Sequence, residues 1–241
     1  MKFTGEAIVL SSRRFNEASA VVSVLFEDHG VFRGVVKNSA SPRNRGALLS
    51  GNVVQAVWQS RLAEQLGTFT LELVTPTAAV IMNDDVKLLA VSSLCSLLSS
   101  FIAERDPHPR MYYVVSKMLK SMMEDSSWYK NYLDCEVTLL AECGYGLSLE
   151  ECAVTGTQSN LVYISPKTGR AVCDKEGEAY KDRLFTFYPA LQPEYLDAIT
   201  LPELINCMSV THYFLQKMAK ELLHRQELPT EYNLFTRKLK N

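Results

Sequence analysis

Between residues 1 and 75 the apolar side chains recur with a period of two, and that restricts the segment to short strands. Ile8 and Leu10, then Val22, Val24 and Phe26, then Val54, Ala56 and Trp58, then Phe69, Leu71 and Leu73 each mark one face of an extended run. With Gly30-Val31-Phe32-Arg33-Gly34-Val35-Val36 these make five runs, and no gap between them is long enough for a crossover helix. Glu27-Asp28-His29-Gly30 separates the second run from the third, with a glycine for the tight connection, so a hairpin is expected there.

Five strands in so short a segment favour an antiparallel meander closed on itself, because closure removes the edges at which sheets aggregate. The five-stranded closed form is the oligonucleotide-binding (OB) barrel, whose nucleic-acid face is formed by its second and third strands and the loops beside them. Here Arg33 and Lys37 stand four apart on the third strand and share a face. The stretch from Lys37 to Gly46 is polar and carries Lys37, Arg43 and Arg45 without an acid, so it is expected to be mobile until an anion orders it. From residue 11 to residue 61 seven bases (Arg13, Arg14, Arg33, Lys37, Arg43, Arg45 and Arg61) face three acids, in a chain whose overall charge is −2. Scattered cations are commonly a solvated face, but these are segregated, and they define a local patch on a protein that is not basic as a whole. Phe15, beside Arg13 and Arg14, suits a stacking platform for a base and equally a hydrophobic plug. Trp58 shares its strand face with Val54 and Ala56 and is assigned to the barrel core.

The length of 241 residues suits two domains, placed at 1–80 and 81–241. No apolar run reaches membrane-spanning length and the first residues are polar, so a cytoplasmic protein is expected, and its six cysteines are read as thiols rather than disulfides. Past Pro76 the period becomes helical. Helices are predicted from Asp84 and Asp85, which serve the helix dipole, to the Pro107-His108-Pro109 break, then over 111–123, 128–143 and 202–224. Glu136 interrupts an apolar stripe and calls for a buried ion pair. His212 and His224 lie about 120° apart on their helix and make no metal site. The phosphate-binding, dinucleotide, nucleophile-elbow and HExxH motifs are all absent. The reading is therefore of a non-enzymatic α+β protein.

Several fragments together resemble the bacterial RecO family of DNA repair proteins: Gly5-Glu6-Ala7-Ile8-Val9-Leu10, Leu66-Gly67-Thr68-Phe69, Pro107-His108-Pro109-Arg110, Leu140-Ala141-Glu142-Cys143-Gly144-Tyr145-Gly146-Leu147, Cys152-Ala153-Val154-Thr155-Gly156 and Ser165-Pro166-Lys167-Thr168-Gly169. The resemblance implies an N-terminal five-stranded OB barrel, then an α-helical domain with a zinc-finger-like insert at about 144–180, and no catalytic centre. It also implies a nucleoid-associated recombination mediator that binds single-stranded DNA and, in some settings, duplex DNA. Its implied partners are RecR, the C-terminal tail of single-strand-binding protein and, indirectly, the RecA filament. On these grounds the DNA-binding set is Arg13, Arg14, Phe15, Arg33, Lys37, Arg43, Arg45 and Arg61. The rival reading is an adaptor whose basic loop meets an acidic protein.

Many RecO relatives hold zinc with two C-x-x-C pairs, and the matching positions here are Cys152 with Thr155 and Cys173 with Glu176. Threonine is not a usual zinc ligand, so the site is read as degenerate, with no cofactor. Packing of Leu161, Tyr163, Val172 and Tyr180 is expected to hold the insert instead.

Overall fold

The computed structural model describes residues 1–62, 65–124 and 127–241. The chain divides into two compact units, Met1–Ser126 with Pro229–Asn241, and Ser127–Leu228.

In the first unit five strands form a ring: β1 (Lys2–Arg14), β2 (Ser19–Phe26), β3 (Gly30–Lys37), β4 (Val53–Gln59) and β5 (Gly67–Thr75), in the order β1-β2-β3-β5-β4. The expected five-stranded barrel is present, but it is no meander. β1 pairs with both β2 and β4, and the ring closes where β3 meets β5 in parallel over Gly34–Gly67, Val35–Thr68 and Val36–Phe69. Gly67 is required at that seam, because a Cβ there would lie 2.3 Å from the Trp58 indole. Trp58 is fully buried and its Nε1 donates to the Arg33 carbonyl at 3.0 Å, which settles it as a core residue. Gly30 takes φ +75°, and a Cβ on it would meet the Asp106 carbonyl oxygen at 1.8 Å.

The inward residues of β1 are Ala7 and Val9 rather than Ile8 and Leu10. Ile8 and Leu10 face outward and are nonetheless buried, because the helix at Asp85–Phe101 lies against β1; Leu25, the β2 partner of Ile8, is buried beside them. The elements that follow β3 run α1 (Pro42–Ala47), α2 (Thr77–Val80), α3 (Asp85–Phe101) and α4 (Pro109–Met123). Asp84 caps α3 by accepting from the amides of Val86 and Lys87, each at 3.0 Å. The far side of α3 meets a helix at Thr230–Leu239, numbered below as α8, through its buried Tyr232, Phe235 and Leu239. Met111, Met118 and Met122 are buried in this core.

The stretch expected to be mobile, Lys37 to Gly46, carries a short helix and a set of local hydrogen bonds. Ser41 Oγ caps α1 by accepting from Asn44 N, and Asn44 Nδ2 donates to the carbonyls of Lys37 and Asn38. Asn52 Nδ2 holds the Gly46 carbonyl at 2.7 Å. Short polar side chains supply local hydrogen bonds that composition alone does not reveal.

In the second unit α5 (Tyr129–Glu142) packs against α7 (Leu201–Leu222), which opens on a capping box of Thr200 and Glu203. Glu136 is fully buried, and its carboxylate accepts from the Thr211 hydroxyl on α7. Met218 is also core. Between these helices β6 (Leu161–Ile164), β7 (Ala171–Cys173) and β8 (Phe185–Thr186) form a sheet in the order β7-β6-β8, with the one-turn helix α6 (Asp174–Gly177) after β7; α8 (Thr230–Leu239) belongs to the first unit. Leu161, Tyr163 and Val172 pack around Cys152 and Cys173 as expected, whereas Tyr180 is 60% exposed and takes no part. Among the described residues no helix is long and apolar enough to cross a membrane.

Candidate nucleic-acid interface

Antiparallel register decides which cations share a surface. Cross-strand partners lie on one face of a sheet, so the pairs Arg13–Val21, Val21–Val35 and Ser19–Lys37 lay out one outer surface across β1, β2 and β3. A bulge between Val9 and Ser11 resets the phase of β1. It turns Arg13 outward and places Arg14 opposite Ala20, on the side of the barrel mouth.

The folded loop then sorts the remaining cations. Arg14 and Arg45 line one cleft with Ser12, Asn16, Ala20 and Leu48. Lys37 and Arg43 line a second with Asn38, Gln59 and Thr68, on the other side of the Asn38–Ser41 turn. Gln59 and Thr68 continue that cleft into a third, lined by Lys2, Ser60, Arg61 and Leu66. Lys2 enters because β1 pairs with β4 through Lys2 and Gln59, a contact without any trace in the local sequence. Phe15 is 62% exposed in the turn after β1, outside the barrel core.

Arg33 does share the outward face of β3 with Lys37, yet its guanidinium is paired with Glu104. Arg43 Nη2 donates to Glu72 Oε1 at 3.2 Å. The segment after α3 runs along the edge of β3 that β5 leaves open. Glu104 bridges Val31, and Arg105 donates its amide to the Val31 carbonyl at 2.9 Å. Arg105 has φ +66° and holds its guanidinium over the rings of Phe32 and Trp58, 5.7 and 5.9 Å from their centroids. Because α3 lies against β1 and the outward Leu25 is buried, the open basic surface occupies the Arg13, Val21 and Lys37 end of β1, β2 and β3, with α1 and the β4–β5 side.

The four positions of the degenerate metal site are only partly assembled. Cys152 Sγ and Cys173 Sγ lie 3.4 Å apart, and Thr155 Oγ1 is 3.8 Å from Cys173 Sγ. Burial would raise the Cys152 thiol, but hydrogen bonds from the Thr155 hydroxyl and from the Cys173, Thr155 and Val154 backbone outweigh it and hold the group below the ordinary thiol range. Two thiols and a hydroxyl do not fit a four-coordinate structural zinc, and no three His, Cys, Asp or Glu side chains gather for a metal among the described residues.

Residues 1–77 match the model described as Recombination protein O N terminal, and residues 82–217 match Recombination protein O C terminal. A "DNA repair protein RecO" from Rhodospirillum centenum is 38% identical over 228 residues, covering 94% of this chain and 90% of that protein. Those of Granulibacter bethesdensis and Bartonella quintana are each 35% identical, over 98% and 90% of this chain and 95% and 89% of theirs. With both halves matched in order and relatives aligned nearly end to end, the chain belongs to the RecO family of DNA repair and recombination proteins.

Proposed function

We propose that the protein is a non-catalytic recombination mediator that holds single-stranded DNA on the basic end of its barrel. On this reading it promotes annealing and, with RecR, helps RecA load on strands covered by single-strand-binding protein. The observation that carries the proposal is the convergence of Arg14, Arg45, Lys37, Arg43, Arg61 and Lys2 on adjoining clefts at one side of the barrel. Phosphates contribute most of such an affinity, and the exposed ring of Phe15 offers a stacking surface that any base satisfies. The test is a titration of a labelled oligothymidylate at several salt concentrations. With roughly four to seven phosphate contacts, log K against log salt slopes at about −3 to −5. No binding at low salt would remove the proposal.

One observation favours the adaptor reading: Arg33 and Arg43 already hold carboxylates, as they would hold those of an acidic partner. Retention of an acidic peptide by a protein that ignores oligonucleotides would establish it. Family membership also supports recruitment of the tail of single-strand-binding protein. The expected result is saturable binding of that tail peptide to the full chain, unaffected by alanine at the barrel cations. A cut at residue 80 is unsuited to this measurement, since it would strip α3 from Ile8 and Leu10.

We further propose that folding is independent of zinc. The purified chain is expected to contain far less than one zinc per molecule and to keep its thermal transition in a strong chelator. Stoichiometric zinc, with unfolding on chelation, would show that other donors complete the site.

A further inference from the structure

The cation expected at the centre of the DNA face is already occupied. Arg33 stands on the outer surface of β3 in line with Lys37, and Glu104 lies against it with its side chain one-third exposed. The placement of Glu104 comes from the backbone rather than from the reach of a side chain. Its main chain forms a parallel bridge with Val31, the Arg105 amide donates to the Val31 carbonyl, and Gly30 lacks the Cβ that would push away Asp106. The stacking of Arg105 on Phe32 and Trp58 fixes the segment at a second point. The Arg43–Glu72 pair has no such backing, both of its side chains being at least 70% exposed.

We propose that Glu104 is a built-in stand-in for phosphate: it occupies Arg33 in the unliganded barrel and yields it when a phosphate of the bound strand arrives. This rests on the DNA-binding reading given above. A half-exposed ion pair is weak in water, so exchange for another anion costs little. The phosphate gains the same guanidinium fork, and the neighbouring Lys37 draws the strand to the place where exchange occurs. While Glu104 holds it, Arg33 attracts no isolated anion. Its contribution therefore appears only for a ligand that other cations have already seated, which makes Glu104 a specificity-determining residue of the surface.

The test is a double-mutant cycle on the full chain with a labelled oligothymidylate of about 20 nucleotides in low salt, with the thermal transition recorded for each variant. Glu104→Gln is expected to tighten binding about fivefold and to steepen the salt dependence by a little under one, the effect of releasing one cation. Arg33→Ala is expected to cost less than about twofold in the native background and about fivefold beside Glu104→Gln. Glu104→Ala covers the case in which an amide keeps hold of the guanidinium. Glu27→Gln, which removes an exposed acid without releasing Arg33, is expected to change affinity by less than about twofold. Equal costs of Arg33→Ala in both backgrounds would mean that Glu104 does not hold Arg33 back from the strand, and a salt slope left unchanged by Arg33→Ala in the native background would mean that Arg33 stays on Glu104 throughout; either would overturn the proposal. So would an equal gain from Glu27→Gln, which would mark a general charge effect. Absence of binding by the native chain is a different outcome, which removes the DNA-binding reading itself.

Discussion

Replacing Arg14, Lys37, Arg43 and Arg45 together with alanine is expected to weaken binding of a single-stranded oligonucleotide by more than about 100-fold near 0.1 M salt. Each released phosphate contact removes about 0.7 from the salt slope of a single strand, so four of them flatten it by about 3. All four side chains are exposed, and their hydrogen bonds are confined to the surface. The unfolding transition is therefore expected to move little, since exposed pairs contribute at most about 1 kcal/mol each. Measurement of affinity and thermal transition on one preparation checks both halves. Loss of binding together with loss of structure would invalidate the comparison, and unchanged affinity in a folded variant would return the basic surface to an acidic protein partner.

Trp58→Ala is expected to have the opposite profile, a large loss of stability. The ring is fully buried against Phe3 and Phe32, with centroids 5.4 and 5.1 Å away, and Gly67 has been kept bare to receive it. Truncating a buried tryptophan costs about 3 to 5 kcal/mol. Trp58→Phe keeps most of the volume and loses the bond to the Arg33 carbonyl, for about 1 kcal/mol. Denaturant unfolding followed by circular dichroism gives both values, and a loss under 1 kcal/mol for the alanine variant would contradict the core assignment. Oligonucleotide affinity of Trp58→Phe is expected to match the native chain, whereas Phe15→Ala loses a stacking contact of about 1 to 3 kcal/mol.

The five strands, the hairpin at Gly30, the four long helices α3, α4, α5 and α7 and the core position of Trp58 were legible in the sequence because they follow from local rules of period, turn and breaker. The helix at Thr230–Leu239 has only Tyr232, Phe235 and Leu239 as its apolar seam, and it becomes intelligible once α3 is seen to need a cover. The change of period at Pro76 records a change of secondary structure, while the compact unit runs on through the helices that bury Ile8 and Leu10. Period two cannot distinguish the inside of a barrel from an outer face that a helix covers, since both bury their side chains.

By itself the sequence determined the kind of elements, their order and the presence of a segregated set of cations. The tertiary structure decided which of those cations lie together. A bulge in β1 chose the faces of Arg13 and Arg14, the β1–β4 ladder brought Lys2 beside Arg61, and the chain crossing at Gly30 set Glu104 against Arg33. Each of these depends on contacts between residues distant in the chain. Local pattern carries no record of them, because the free energy that selects them comes from packing the whole barrel at once.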